Sequence, residues 1–286
     1  MFRTTSLTLL TSLATAACLE PSSDPGLRDH AAPLLGAELD PSSLGELTLW
    51  LDGTRGVTTS SQGEVLSWAD QSGLGRHMFR GSPDVAGVTY QAYPASGSRN
   101  GSVCFMPGPD GANGYLVNTS VVERGPFTVA MALRPTGGEY AIPFTGTAAP
   151  ALTIRKYTSP LLGAESVIRA SAGGGDQFTF VQGGPWRNEP LIALVGFAGP
   201  SSWIEAGPAT PEDGGGLTWP PQLEPVPAGP STGPLSGSTL DGLVLSHGGA
   251  FAYQGCIGEV LIYRGDLDTT ARAELAEYLR ARYGGR

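Results

Sequence analysis

Short segments in which apolar residues recur at every second position run through this chain from Leu47 to Tyr263, and each is closed by glycine, proline, asparagine or aspartate. Few folds accept that pattern. Leu47, Leu49 and Leu51 alternate with Thr48, Trp50 and Asp52 before Gly53 ends the run, so one face of the segment is aliphatic and can lie on a core as a strand. Further runs are Val65 to Trp68, Ser102 to Met106, Tyr115 to Val117, Gln177 to Val181, Leu191 to Phe197, Leu243 to Leu245 and Gly258 to Tyr263. In another, Phe127, Val129, Met131 and Leu133 alternate with small residues. About ten short strands, punctuated by turns, predict an all-β sandwich or barrel and not an alternating α/β chain. The 42 glycines and 24 prolines among 286 residues agree with that reading, since a mainly helical chain would not tolerate them. One segment departs from it. Ala271, Leu275, Tyr278, Leu279 and Tyr283 recur at helical spacing, Asp268 can cap the start, Arg280 and Arg282 suit the end, and Gly284 is a natural stop. This predicts one amphipathic C-terminal helix over 268–283 packed on the sandwich.

The ends of the chain say where it goes. Arg3, a mildly apolar run from Leu7 to Ala17 and then small residues have the layout of a secretory signal, too short to span a bilayer. Thr15-Ala16-Ala17-Cys18 resembles a bacterial lipobox, with Thr15 where leucine is usual. Lipidation of Cys18 after removal of residues 1–17 is the expectation, and plain cleavage after Ala16 or Ala17 is its alternative. Residues 18–45 are rich in Pro, Ser, Ala and acidic side chains without periodicity and read as a flexible tether ahead of a domain over 46–286. Nine prolines and a triple glycine between 199 and 237 predict a long surface insertion, because so much proline cannot form a central strand. A net charge of -9, with Lys156 the lone lysine, argues against nucleic acid as a partner, which requires a concentrated basic patch.

Two blocks carry a family resemblance. Leu47-Thr-Leu-Trp50-Leu51-Asp52-Gly53, followed by Val65-Leu-Ser-Trp68-Ala-Asp70-Gln71-Ser72-Gly73-Leu-Gly75-Arg-His77, is similar to an opening W-L-D strand and a W-x-D-x-S-G-x-G turn. Gly255-Cys-Ile-Gly-Glu259-Val-Leu-Ile-Tyr263, running into Leu267-Asp268 and Glu274 to Gly284, is similar to a final strand and closing helix. Both resemble the laminin G-like, concanavalin A-like domains of exported bacterial proteins. The resemblance implies a two-sheet antiparallel jelly-roll sandwich with one C-terminal α-helix, and strands near enough for a Cys104–Cys256 disulfide, with two buried thiols as the alternative. It also implies calcium at rim loops, with ligands from side chains such as Asp52, Asp70, Asp110 or Asp241. Each such residue has a plain structural reading as well: Ser72-Gly73 and Gly75 suit a tight turn, and Asp70 can hold its amides.

Trp186, Trp203 and Trp219 lie in Gly/Pro-rich surroundings, where an indole either stacks on a sugar ring or anchors a loop. Catalytic patterns are poorly supported. Gly229-Pro-Ser231-Thr-Gly233 matches the nucleophile motif in letters alone, inside a proline-rich loop. The sequence has no E-x-D-x-x-E run, and His30, His77 and His247 stand apart. The expected function is therefore a non-catalytic carbohydrate- or protein-binding (adhesion) module of a cell-envelope lipoprotein, with a glycan or surface protein as partner. The rivals are a polysaccharide hydrolase of the same fold, which needs carboxylates converging in a groove, and a purely structural envelope protein.

Overall fold

A computed structural model describes residues 39–82, 87–92, 100–107, 114–137, 140–146, 151–159, 163–172, 175–181, 190–209, 239–246 and 252–284. The chain divides into Met1–Glu38 and Leu39–Arg286. The signal segment, Cys18, the tether as far as residue 38, Asp110, Trp186 and Trp219 lie outside the described residues.

The strands of the described residues are β1 (Glu46–Asp52), β2 (Val57–Thr59), β3 (Val65–Trp68), β4 (Met78–Arg80), β5 (Val88–Ala92), β6 (Gly101–Phe105), β7 (Leu116–Arg124) and β8 (Phe127–Pro135), then β9 (Tyr140–Thr145), β10 (Ala151–Ser159), β11 (Gly163–Ala172), β12 (Gly175–Val181), β13 (Leu191–Phe197), β14 (Trp203–Pro208), β15 (Thr239–Leu245) and β16 (Gly255–Arg264). They form two antiparallel sheets. One, of seven strands, runs β14-β13-β8-β16-β6-β5 with β1 beside β16; the other, of nine, runs β12-β11-β10-β9-β15-β7-β4-β3-β2. A single helix, α1 (Thr269–Tyr283), follows the last strand. The expected two-sheet jelly-roll sandwich with a terminal helix is the fold observed.

Alternation explains how three layers arise from this sequence. On β8, Phe127, Val129, Met131 and Leu133 face the core between the sheets, while Ala130 and Ala132 face α1. On β13, Leu191, Ala193, Val195 and Phe197 go to the inter-sheet core, and Ile192 and Leu194 go to the helix. The seven-stranded sheet is thus buried on both faces, which is why β13 and β16 read as continuous apolar runs. Asp268 caps α1 by accepting a hydrogen bond from the Ala271 amide. Gly284 ends it in right-handed backbone; a side chain there would meet the Ala209 carbonyl oxygen at 2.5 Å, so glycine is needed for close approach and not for a left-handed turn.

Three differences from the sequence reading have local causes. The second unit begins at Leu39, within the segment expected as tether. Pro41–Leu44 make a 3-10 turn, Leu39 and Leu44 pack against the α1 cluster, and the Tyr263 hydroxyl donates to the Pro41 carbonyl at 3.0 Å. The expected insertion over 199–237 is a correction at its start. Residues 203–208 are strand β14 at a sheet edge, where Pro208 closes the strand and its missing amide costs no central ladder bond; residues 210–238 lie outside the described residues. Strands β9 to β11 fill a stretch in which no alternating run stood out.

Cys104 and Cys256 are paired positions on β6 and β16, and they form a disulfide across a sequence separation of 152. Gln91 on the neighbouring β5 places its amide nitrogen 2.7 Å from the Cys104 sulfur.

Candidate functional site

The first motif block builds the free edge of β1. Asp70 Oδ1 accepts from the Trp50 amide at 2.9 Å, the Gln71 amide donates to the Trp50 carbonyl at 2.7 Å, and the Arg76 guanidinium donates to the Thr48 carbonyl at 3.2 Å. The turn that carries Asp70 thereby satisfies backbone groups an edge strand would leave open. Within that turn Asp70 also accepts from Ser72 N, Ser72 Oγ and Arg76 N, and Gly73 and Gly75 take φ of 89° and 70°, the left-handed region that favours glycine. Each Asp70 oxygen therefore already holds two donors. Asp52 is committed as well: Oδ1 accepts from the Thr54 amide, the Thr54 hydroxyl and Arg282, and Oδ2 from Arg55. The calcium role expected of Asp52 and Asp70 does not fit this arrangement, because two cations and a ring of N–H and O–H donors already occupy their lone pairs. Among the described residues no group of three or more His, Cys, Asp or Glu side chains could hold a metal ion, and Asp241 is an exposed residue of β15.

Asp52 and Glu259 are paired positions on β1 and β16, buried to 1% and 0% exposure beneath α1. Trp50 Nε1 and the Tyr278 hydroxyl both donate to Glu259 Oε1, at 2.7 and 2.8 Å. Arg282 lies between the carboxylates, 2.8 Å from Asp52 and 3.3 Å from Glu259, and its guanidinium donates to the Tyr278 hydroxyl. Burial pushes the Glu259 carboxyl from 4.5 up to about 7 against the pull of Arg282. Burial also opposes charge on Asp52, but hydrogen bonds from Thr54 and the Arg282 charge outweigh it and hold that carboxyl below 3.8. Carboxylates driven apart in this way have the electrostatics of an acid and base pair. Their placement is that of a clamp, since the helix covers them and a guanidinium fills the gap a substrate would need.

The clamp makes stability depend on pH. Glu259 holds its proton more tightly in the folded chain, so stability falls as pH rises from 4.5 to about 7 and is level above that. Asp52 acts in a lower window: its contribution is present above 3.8 and is lost as pH falls through its depressed value. Urea denaturation is expected to give a lower midpoint at pH 7.5 than at pH 5, with a slope of at most about 1.4 kcal/mol per pH unit. Glu259→Gln is expected to flatten most of that slope, leaving the smaller part from Glu205, which burial also raises against Arg272. A variant as steep as the parent contradicts the assignment.

Trp203 is a correction. Its indole is 8% exposed, its N–H donates to Asp266 Oδ1, and the Arg272 guanidinium lies 4.2 Å over its ring. The face a sugar would need is covered by the helix's own arginine, so Trp203 anchors β14 to α1. Among the described residues the most exposed ring is Phe79, on the outer face of the nine-stranded sheet, ahead of Tyr90 at 39% on β5. Trp68 and Met78 are paired and buried in the core, so the next pair along those strands, Ser67 and Phe79, faces outward. Pairing carries that outward position across six strands as Thr58, Ser67, Phe79, Val117, Val244 and Thr145. Phe79 is 53% exposed. His77 lies one outward step before it, with ring centroids 6.4 Å apart. Tyr115 lies one step beyond, its ring against the backbone of Gly81, where a Cβ would meet it at 1.9 Å. His77 Nδ1 accepts from the Asp70 amide at 3.0 Å, which puts the neutral ring's proton on Nε2.

Sequence reasoning named His77 for its turn and passed over Phe79 and Tyr115. The signal was present in the phase: His77 and Phe79 flank Met78, which belongs to the core, so both must point the other way.

No protein-family model matches the chain, and no curated protein sequence does. Solved structures match by shape. One is a GH54 α-L-arabinofuranosidase soaked with a cyclic sulfate inhibitor, at TM-score 0.51 and 16% identity, covering 85% of this chain and 60% of that one. A second is a botulinum neurotoxin type C structure whose cell entry depends on two ganglioside molecules, at TM-score 0.49 and 11% identity, covering 84% and 53%. A third is domain 4 of AbnA, an extracellular GH43 arabinanase from Geobacillus stearothermophilus, in complex with arabinotriose, at TM-score 0.47 and 11% identity, covering 81% and 98%. The chain thus spans about three fifths of the length of the arabinofuranosidase chain it matches. At this identity the first likeness bears on the fold alone, and the chain is a two-sheet, jelly-roll-like sandwich similar in architecture to that arabinofuranosidase.

Proposed function

We propose that the chain is a non-catalytic glycan-binding module of the cell envelope, a concanavalin A-like sandwich held at the membrane by a lipid on Cys18 after loss of residues 1–17. One observation carries the reading: an outward row of hydroxyls and small apolar side chains, half-buried except for the exposed Thr58 and Phe79 and crossed by three rings, on the sheet face opposite the one that packs the core. Sugars are bound by stacking of their C–H faces on such rings and by hydrogen bonds to their hydroxyls. The carboxylate pair of the described residues, Asp52 and Glu259, is buried with Arg282 between its members, which supports the non-catalytic reading. A surface protein remains the alternative partner. The fold likeness to an arabinofuranosidase is a reason to test arabinose-containing glycans first.

The purified chain on a glycan array is expected to retain at least one class of polysaccharide fragment without releasing reducing sugar. A clean negative across the array removes the glycan reading, and released sugar restores the hydrolase. Intact mass of the protein from a bacterial host is expected to show a diacyl or triacyl group on an N-terminal Cys18; an unmodified N-terminus removes the anchor.

A further inference from the structure

Resting on the glycan reading, the geometry points to a more specific assignment: we infer that His77 and Phe79 form the central subsite for one ring of a linear, uncharged oligosaccharide laid across the nine-stranded sheet. Phe79 supplies the stacking face. His77 supplies a directed donor beside it, because the Asp70 amide holds Nδ1 and leaves the proton on Nε2, for which no partner occurs among the described residues. An imidazole fixed in one tautomer by a backbone N–H in a glycine-bounded turn is a pre-set hydrogen-bond donor, the element a sugar hydroxyl or ring oxygen needs.

Charge selects the class. The outward row carries no acidic or basic side chain. Among the described residues beside the row, Arg80 is paired with Glu64 at 2.9 Å and Arg76 with Glu123 at 2.5 Å, and the chain as a whole is at -9. Among the described residues an anionic sugar would find no charged partner on this row, and the chain's net charge disfavours it. A protein partner is less well matched, because Phe79 is the one large apolar side chain standing out from a row otherwise made of hydroxyls and valines. The row also sets the ligand's shape. Six neighbouring strands at about 4.8 Å spacing give a strip of about 24 Å, long enough for several sugar rings in extension.

The test uses the purified full chain, titrated calorimetrically with linear arabinan, xylan and glucan oligosaccharides and with sialylated and uronic-acid-bearing counterparts. Neutral chains are expected to bind and charged ones to bind at least about tenfold more weakly. Phe79→Ala is expected to weaken binding at least about tenfold at unchanged melting temperature, since the ring is exposed, and Phe79→Trp to preserve it. His77→Phe, which keeps a ring and removes the donor, is expected to weaken it by about two- to tenfold. If the parent binds neutral glycans and Phe79→Ala binds them equally well, this subsite is wrong and the broader reading stands. Preference for the charged glycans overturns the neutral class, and no binding by the parent to any of them overturns the broader reading too.

Discussion

Replacing Glu259 with alanine is expected to lower stability by about 3–5 kcal/mol, the cost of removing one partner from a buried charge pair. The residue is fully buried, and three groups converge on its carboxylate. Without it the Trp50 indole N–H and the Tyr278 hydroxyl lose their acceptor, and Arg282 keeps Asp52 alone on the carboxylate side. Glu259 is fully enclosed between its sheet and α1, which carries Tyr278 and Arg282, so water cannot readily replace the lost oxygen. For a domain of this size that corresponds to a fall in melting temperature of roughly 6–20 °C. Glu259→Gln, which still offers an oxygen to Trp50 and Tyr278, is expected to cost much less. Differential scanning calorimetry of the two variants checks the order, and equal melting temperatures for Glu259→Ala and the parent contradict the clamp.

Loss of the disulfide is expected to have an effect of similar size. Cys104 and Cys256 close a loop with a sequence separation of 152, for which loop-closure entropy in the unfolded chain gives about 5 kcal/mol, with measured values for native bridges at about 2–5 kcal/mol. Both residues are buried at the junction of β6 and β16. Cys104→Ala with Cys256→Ala is therefore expected to unfold at markedly lower urea concentration, and the parent is expected to match it only when fully reduced. A double variant as stable as the oxidised parent shows that the bridge contributes nothing.

The ends of the domain and the core strands β8 and β13 were legible in the sequence, and the stretch from β9 to β11 was not. Strands β1, β3 and β16 and helix α1 lie on the sandwich core or the helix interface, so burial imposed a period on them that can be read directly. Asp70 and Asp52 also stood out, but as acidic residues in a motif they suggested metal ligands; beside local donors from Ser72, Thr54 and Arg55, the Trp50 amide and Arg282 come from distant positions that no spacing reveals. Trp203 misled for the opposite reason. Its proline-rich neighbourhood reads as loop, whereas an edge strand tolerates proline at its end, and the residues covering the indole, Asp266 and Arg272, come from the other end of the chain. The outward face was hidden because its members, from Thr58 to Val244, become neighbours only through strand pairing.

The most direct measurement is the amide and side-chain NMR spectrum of the chain with and without whichever neutral oligosaccharide it retains. Shifts concentrated at His77, Phe79, Tyr115, Val117 and Val244, with Trp50, Trp203 and Glu259 silent, are the result this account predicts. Shifts confined to Trp50, Trp203 or the turn at Asp70, with Phe79 unmoved, contradict it and place the ligand on the other side of the sandwich.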